Sequence, residues 1–271
     1  MKKAILQILT WLGVMAGCAA VAIILWMVFF AAMDSTASLK WEQFLTSFGM
    51  FLVPPIICAY LWNKRSPFAR LKMNKGANWE LFLIGIGIIL LMGPAVNLLA
   101  DLNSRITLPK SLESIEHLMQ QLEQQNKEVM TQFLQTDTLL INLCLIALLP
   151  ALGEELTFRG TLQQILGNKH LAIWITAILF GAIHMNYHQF IPLTLMGAMF
   201  GYMLMWTGSL WVPIVMHFTN NAFYIILQYS GIEEMKFADT LGAGETAWVG
   251  VVSLVITSLG LLIFYRRTRK R

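Results

Sequence analysis

Apolar residues fall in blocks of about 20, the length at which a helix crosses the hydrocarbon of a bilayer. These blocks predict eight helices, near residues 4–32, 46–63, 80–100, 138–158, 171–187, 190–206, 211–229 and 247–265. The fourth is expected to run on through Gly160 to Gln164, and the short fifth and sixth are joined only by Tyr187, His188 and Gln189. The stretch from Ala4 to Met33 is too long for the apolar region of a signal peptide and lacks a small-residue cleavage site, so it reads as a retained first span. The one long polar interruption, 101–137, carries Leu112, Ile115, Leu118, Met119 and Leu122 at helical spacing. That pattern predicts an amphipathic helix lying on the membrane or a plain surface helix. Gly197 and Gly201 form a GxxxG pair that permits close helix contact within the chain.

Composition turns this pattern into a fold class. With 57% hydrophobic and 13% charged residues and a mean hydropathy of +0.63, the chain has more apolar surface than a water-soluble protein of 271 residues could cover. The expectation is an all-α, polytopic transmembrane bundle of about eight spans, one membrane domain over 1–271, with a polar cavity inside the membrane. Cys18, Cys58 and Cys144 lie in apolar runs without paired spacing, which suggests neither a disulfide framework nor a thiolate metal site.

Charge sets the expected orientation. Of the 19 Lys and Arg residues, 14 fall at one side: Lys2 and Lys3, the stretch from Lys64 to Lys75, Arg159 with Lys169, and the tail from Arg266 to Arg271. The other side holds Lys40, Arg105, Lys110, Lys127 and Lys236, together with Glu113, Glu116, Glu123, Glu128, Glu233 and Glu234. The positive-inside rule then puts both termini in the cytoplasm and the 101–137 loop outside. The short loops suit a multi-pass protein of a bacterial inner membrane. The net charge of +4 reflects topology, with membrane lipid as a partner of the basic tail, and gives no reason to expect nucleic acid.

Ionisable side chains inside spans are costly and mark candidate chemistry. Glu154 and Glu155 follow the run from Leu139 to Leu152, His184 closes the fifth helix, and His217 sits inside the seventh. Glu155 and Arg159 are an i, i+4 pair able to form an ion pair, whereas Glu154 is turned about 100° away and lacks a partner on its own helix. That leaves Glu154 suited to act as a general base. His217 and Asn221, also i, i+4, share a face and can hydrogen-bond one carbonyl oxygen, the requirement of an oxyanion hole. Each feature taken singly has a bland reading: a helix end in headgroup water for Glu154 to Arg159, and an interhelical polar bridge for His217 with Asn221. Phe180 reads as packing. His117, His170 and His188 read as solvated, with His188 near enough to His184 to act as a gate.

Taken together, three motifs resemble a known family. Glu154-Glu155-Leu156-Thr157-Phe158-Arg159 matches EExxxR, Phe180 to His184 matches FxxxH, and His217 to Asn221 matches HxxxN. In this order on successive helices they look like the CAAX protease and bacteriocin-processing (CPBP, Abi) family of intramembrane endopeptidases, over a core of 137–229. The resemblance implies a helical bundle in which Glu154 activates water for hydrolysis of a peptide or protein substrate. His184 would help hold the water, His217 and Asn221 would stabilise the oxyanion, and Glu155 and Arg159 would support them. Counted along the predicted helices, Glu154 and His217 fall near the cytoplasmic leaflet and His184 nearer mid-membrane or beyond.

No cofactor is expected. There is no HExxH helix, and Asn221 is a poor zinc ligand; were zinc present, Glu154, His184 and His217 would hold it. Two other functions compete: a non-enzymatic scaffold or immunity protein of the same fold, and a proton-coupled transporter, for which internal symmetry would be expected and none is visible.

Overall fold

A computed structural model describes residues 2–106, 109, 111, 113–136, 138–167, 169–229 and 241–269. Among the described residues the main helices are α1 Lys2–Phe29, α2 Thr36–Trp62, α3 Trp79–Leu91, α4 Gly93–Ser104, α5 Glu113–Thr136, α6 Leu139–Leu166, α7 His170–Ile183, α8 Phe190–Thr207, α9 Trp211–Tyr229 and α10 Ala247–Arg269. The chain is a helical membrane bundle. Leu112, Lys110, Lys236, Glu233, Glu234, Lys270 and Arg271 lie outside the described residues.

Each predicted block becomes a helix, with boundaries moved for identifiable reasons. The second begins earlier because Asp34 caps it, its carboxylate accepting from the Ala37 N–H at 3.0 Å. The third is broken: α3 and α4 meet at 46°, and Pro94 in the first turn of α4 lacks the N–H that would continue the ladder. The fourth runs to Leu166 and ends at Gly167, whose φ of 104° is a left-handed cap that a side chain would strain. The fifth stops at Ile183, four residues short of the predicted end, and Met185 turns the chain with φ 48°.

Among the described residues, five helices are long and apolar enough to span a bilayer, or six if α3 and α4 form one bent span. α7 is apolar but short. α9 falls short in hydropathy because His217, Asn220, Asn221 and Gln228 interrupt its apolar run. The residues that suggest chemistry are thus also those that weaken the membrane signal.

Packing around α6 positions the site. α6 lies against α2 and α9, and α7 forms its most extensive contact with α8. The glycine pair on α8 serves this packing. A Cβ at Gly197 would come within 3.2 Å of Ala177 Cα, and one at Gly201 within 2.8 Å of Ile173 Cγ2, so α7 rests directly on the glycine stripe. Larger side chains there would force α7 and α8 apart.

α5 is amphipathic. Phe133 near its end is buried, while Ile115 and Leu118 near its start remain about half exposed. It reaches the α7–α8 connection, where His188 Nδ1 lies 3.1 Å from Glu123 and Lys127 lies 2.6 Å from the same carboxylate. Burial alone would raise the Glu123 carboxyl, yet hydrogen bonds from Lys127 and His188 hold it below the ordinary carboxylate range. His188 is therefore a docking contact for α5 and not merely solvated. Asn103 of α4 secures the same connection, donating to Tyr187 O at 2.6 Å and accepting from the Ile191 N–H at 3.1 Å.

The asymmetry of basic residues predicts the orientation of the bundle. Reporter fusions after Lys75 and after Arg271 should read cytoplasmic, and one within α5 should read extracytoplasmic. A cytoplasmic signal from α5 would refute this orientation.

Candidate active site

α6, α7 and α9 bring Glu154, His184 and His217 together. Glu154 Oε2 lies 3.8 Å from His217 Nε2 and 3.9 Å from His184 Nε2. The depth mismatch expected along the helices disappears because α6 extends to Leu166 and α7 ends at Ile183. Glu154 therefore sits in the middle of α6, at the level where α7 stops. Among the described residues, Glu154 Oε2 is a buried oxygen with no hydrogen-bond partner.

Both imidazoles are oriented from behind. His184 Nδ1 lies 2.6 Å from the carbonyl oxygen of Phe180, which can only accept, so Nδ1 carries the proton and donates. His217 Nδ1 lies 2.9 Å from Glu155 Oε1, and donation to the carboxylate likewise requires a proton on Nδ1. Phe200 stacks on the His217 ring at 5.3 Å, and Phe180 meets it edge-on at 6.0 Å. Each ring is thus held with Nε2 towards Glu154.

Behind His217 lies a buried charge network. Glu155 and Arg159 are both 0% exposed, and Arg159 Nη1 donates to Glu155 Oε1 at 2.9 Å. Arg159 Nη2 donates to the Gly197 carbonyl oxygen at 2.9 Å. The guanidinium lies 4.5 Å from the Phe180 ring centroid, 5.5 Å from Phe200 and 5.7 Å from Phe158. Faces of aromatic rings thus complete the surroundings of a cation that has left water. One turn along α6, Gln163 Nε2 donates to the Gly201 carbonyl oxygen at 3.1 Å. The two glycines therefore have a second task beyond close packing. A Cβ at Gly197 would come within 3.3 Å of Arg159 Nη2, and one at Gly201 within 2.9 Å of Gln163 Oε1.

The site is closed on one side and open on the other. Glu155 and Arg159 are sealed, the His217 side chain is 4% exposed, and the Glu154 and His184 side chains are 16% and 28% exposed. Approach is from the Glu154–His184 side. Asn221 lies one turn beyond His217 on α9, half-buried, with its Oδ1 accepting from Asn220 Nδ2 at 3.2 Å. That bond leaves its amide NH2 as the donor end. Among the other histidines, His117 lies 3.9 Å from Glu113 on the exposed face of α5, and His170 Nδ1 lies 3.0 Å from the Tyr202 hydroxyl.

Three features escape the helical pattern. The pairing of His217 with Glu155 joins two helices, and nothing in the local spacing of either motif predicts it. Phe180 does more than pack: its ring supports Arg159 and its carbonyl orients His184. The glycine carbonyls act as acceptors because the missing side chains let Arg159 and Gln163 approach.

Two imidazole Nε2 atoms and a carboxylate are donor types that zinc accepts. Their separations of 3.8 and 3.9 Å exceed the edge of about 3.3 Å of a tetrahedron with bonds near 2.0 Å. Among the described residues, no group of three or more His, Cys, Asp or Glu side chains is gathered closely enough to hold a metal ion.

Comparison with known proteins finds similarity over the segment that carries these residues. Residues 136–223 match the Type II CAAX prenyl endopeptidase Rce1-like family. The chain is 36% identical over 83 residues to the uncharacterized protein YpbD of Bacillus subtilis, a match covering 29% of this chain and 41% of that protein. It is 32% identical over 103 residues to the membrane-embedded CAAX protease MroQ of Staphylococcus aureus, covering 34% of this chain and 41% of that one. The matches thus span well under half the length of these relatives. No solved structure matches. The matched segment, 136–223, contains Glu154, Glu155, Arg159, His184, His217 and Asn221, and over it the chain is similar to the Rce1-like CAAX endopeptidases.

Proposed function

We propose that the chain is an intramembrane endopeptidase that hydrolyses a peptide bond of a hydrophobic or membrane-associated peptide by water activated at Glu154. The observation that carries the reading is the unpartnered Glu154 Oε2, buried between two imidazole Nε2 atoms at 3.8 and 3.9 Å. Those separations are too long for direct hydrogen bonds, and they suit groups that share one water, which would lie about 2.8 Å from each.

The donors and acceptors assign the steps. Water donates one hydrogen to Glu154 Oε2 and the other to the free lone pair of His184 Nε2. Glu154 takes the first proton as the water oxygen bonds to the scissile carbonyl carbon. The oxyanion accepts hydrogen bonds from the Asn221 amide and from His217 Nε2–H. Because Glu155 already engages Nδ1–H, donation from Nε2 requires a doubly protonated His217 ring. The charges then balance: Glu154 and Glu155 against Arg159 and His217, a neutral cluster suited to a site sealed from water. Collapse of the intermediate breaks the C–N bond, and the leaving amine takes its proton from Glu154. A scaffold has no use for an unpartnered carboxylate held between two oriented rings, whose burial costs stability without return.

Two expectations test this reading. Glu154→Gln should lower cleavage of a membrane peptide substrate by at least about 10²–10⁴-fold while leaving abundance and thermal unfolding in detergent unchanged. Glu155→Gln or Arg159→Ala should instead destabilise the fold by about 3–5 kcal/mol, because each strands a buried charge. Wild-type cleavage by Glu154→Gln would remove Glu154 as the base. Separately, activity should survive exhaustive chelation. Loss of activity on chelation, restored by zinc and accompanied by near-stoichiometric zinc in the purified protein, would replace the water-only mechanism with a Glu154–His184–His217 zinc site.

A further inference from the structure

The end of the bundle that carries the basic clusters has a second concave feature, remote from Glu154. The start of α7 and the ends of α8 and α10 surround a cleft of about 520 Å³, lined by His170, Tyr202, Met205, Trp206, Leu262 and Tyr265 among others. Its rings are continuous. His170 and Tyr202 lie 5.6 Å apart, Tyr202 and Trp206 5.5 Å, and Trp206 and Tyr265 5.1 Å, centroid to centroid.

The rim of the cleft is cationic. The Arg269 guanidinium lies 5.6 Å from the Tyr265 ring centroid, Arg266 is exposed on the same turn, and Lys169 is exposed beside His170. Among the described residues, no carboxylate lines the cleft. Of the arginines in the last turn of α10, Arg267 lies 3.7 Å from Glu80. Leu262 and Met205 provide an apolar wall, the rings form a band of the kind that sits at headgroup level, and the cations stand above it. Of the polar groups in the lining, the Tyr202 hydroxyl and His170 Nδ1 already bond to each other at 3.0 Å.

We propose that this cleft is a binding site for one anionic phospholipid of the leaflet it faces. An acyl chain would lie against Leu262 and Met205, and the phosphate would meet Arg266, Arg269 and Lys169. The charge of the rim selects an anionic headgroup, and the apolar wall selects a lipid over a free phosphate. The proposal does not depend on the endopeptidase reading.

The test uses the full chain, reconstituted in phosphatidylcholine bilayers with and without phosphatidylglycerol, extracted in mild detergent and weighed by native mass spectrometry. One phosphatidylglycerol should remain on each chain while phosphatidylcholine is stripped, and excess inorganic phosphate should not displace it. The exposed pair Arg266→Gln with Arg269→Gln should weaken retention about thirtyfold without changing the thermal unfolding midpoint. Trp206→Leu should weaken it with both arginines in place. Equal retention of the two lipids, or retention unaffected by the arginine pair, would overturn the proposal. So would displacement by phosphate, which would make the site a phosphate site, or a lipid-free dimer broken by Trp206→Leu, which would assign the cleft to a second copy.

Discussion

The buried contact between Arg159, Glu155 and His217 is the constraint on which the rest of the site depends. Three ionisable groups, each nearly or wholly removed from solvent, meet on one carboxylate oxygen at 2.9 Å. Such a cluster is tolerable in a low-dielectric interior only when every member is held in place, since losing one partner strands the charge of the others. Its geometry therefore fixes α6 against α9 through Glu155 and His217, and α6 against α8 through Arg159 and the Gly197 carbonyl.

The surroundings of the cluster follow from that requirement. Arg159 keeps its charge among Phe158, Phe180 and Phe200, whose ring faces supply attraction without competing hydrogen bonds. Phe180 then does double duty, since its carbonyl sets the His184 tautomer, and Phe200 stacks on His217. The same few side chains that stabilise the buried cation also aim both Nε2 atoms at Glu154. Structural support and orientation of the reactive groups are here one arrangement.

Much of this was legible in the sequence, and the residues show why the rest was not. The apolar blocks located the helices, because burying twenty apolar residues leaves few alternatives in a bilayer. The i, i+4 spacing of Glu155 and Arg159 anticipated their pairing, and the turn of one residue anticipated Glu154 facing elsewhere. Boundaries moved where local chemistry overrode hydropathy: the Asp34 cap, the Pro94 break and the turn at Met185. The link from Glu155 to His217 spans 62 residues between two helices, and periodicity within a helix carries no information about such a pair. The role of the glycine carbonyls is not legible in the sequence because a GxxxG pattern speaks of helices approaching, and not of an arginine using the space.

The central claim is that Glu155 dictates the protonation of His217, so that Nδ1 always carries a proton and Nε2 is the atom presented to Glu154. Nitrogen NMR of protein labelled at histidine nitrogens, with the His217 signals assigned by their loss in His217→Gln, reads this directly. The account predicts protons on both ring nitrogens, with Nδ1–H held by Glu155 and Nε2–H left for the oxyanion. A neutral His217 with its single proton on Nε2 would contradict it.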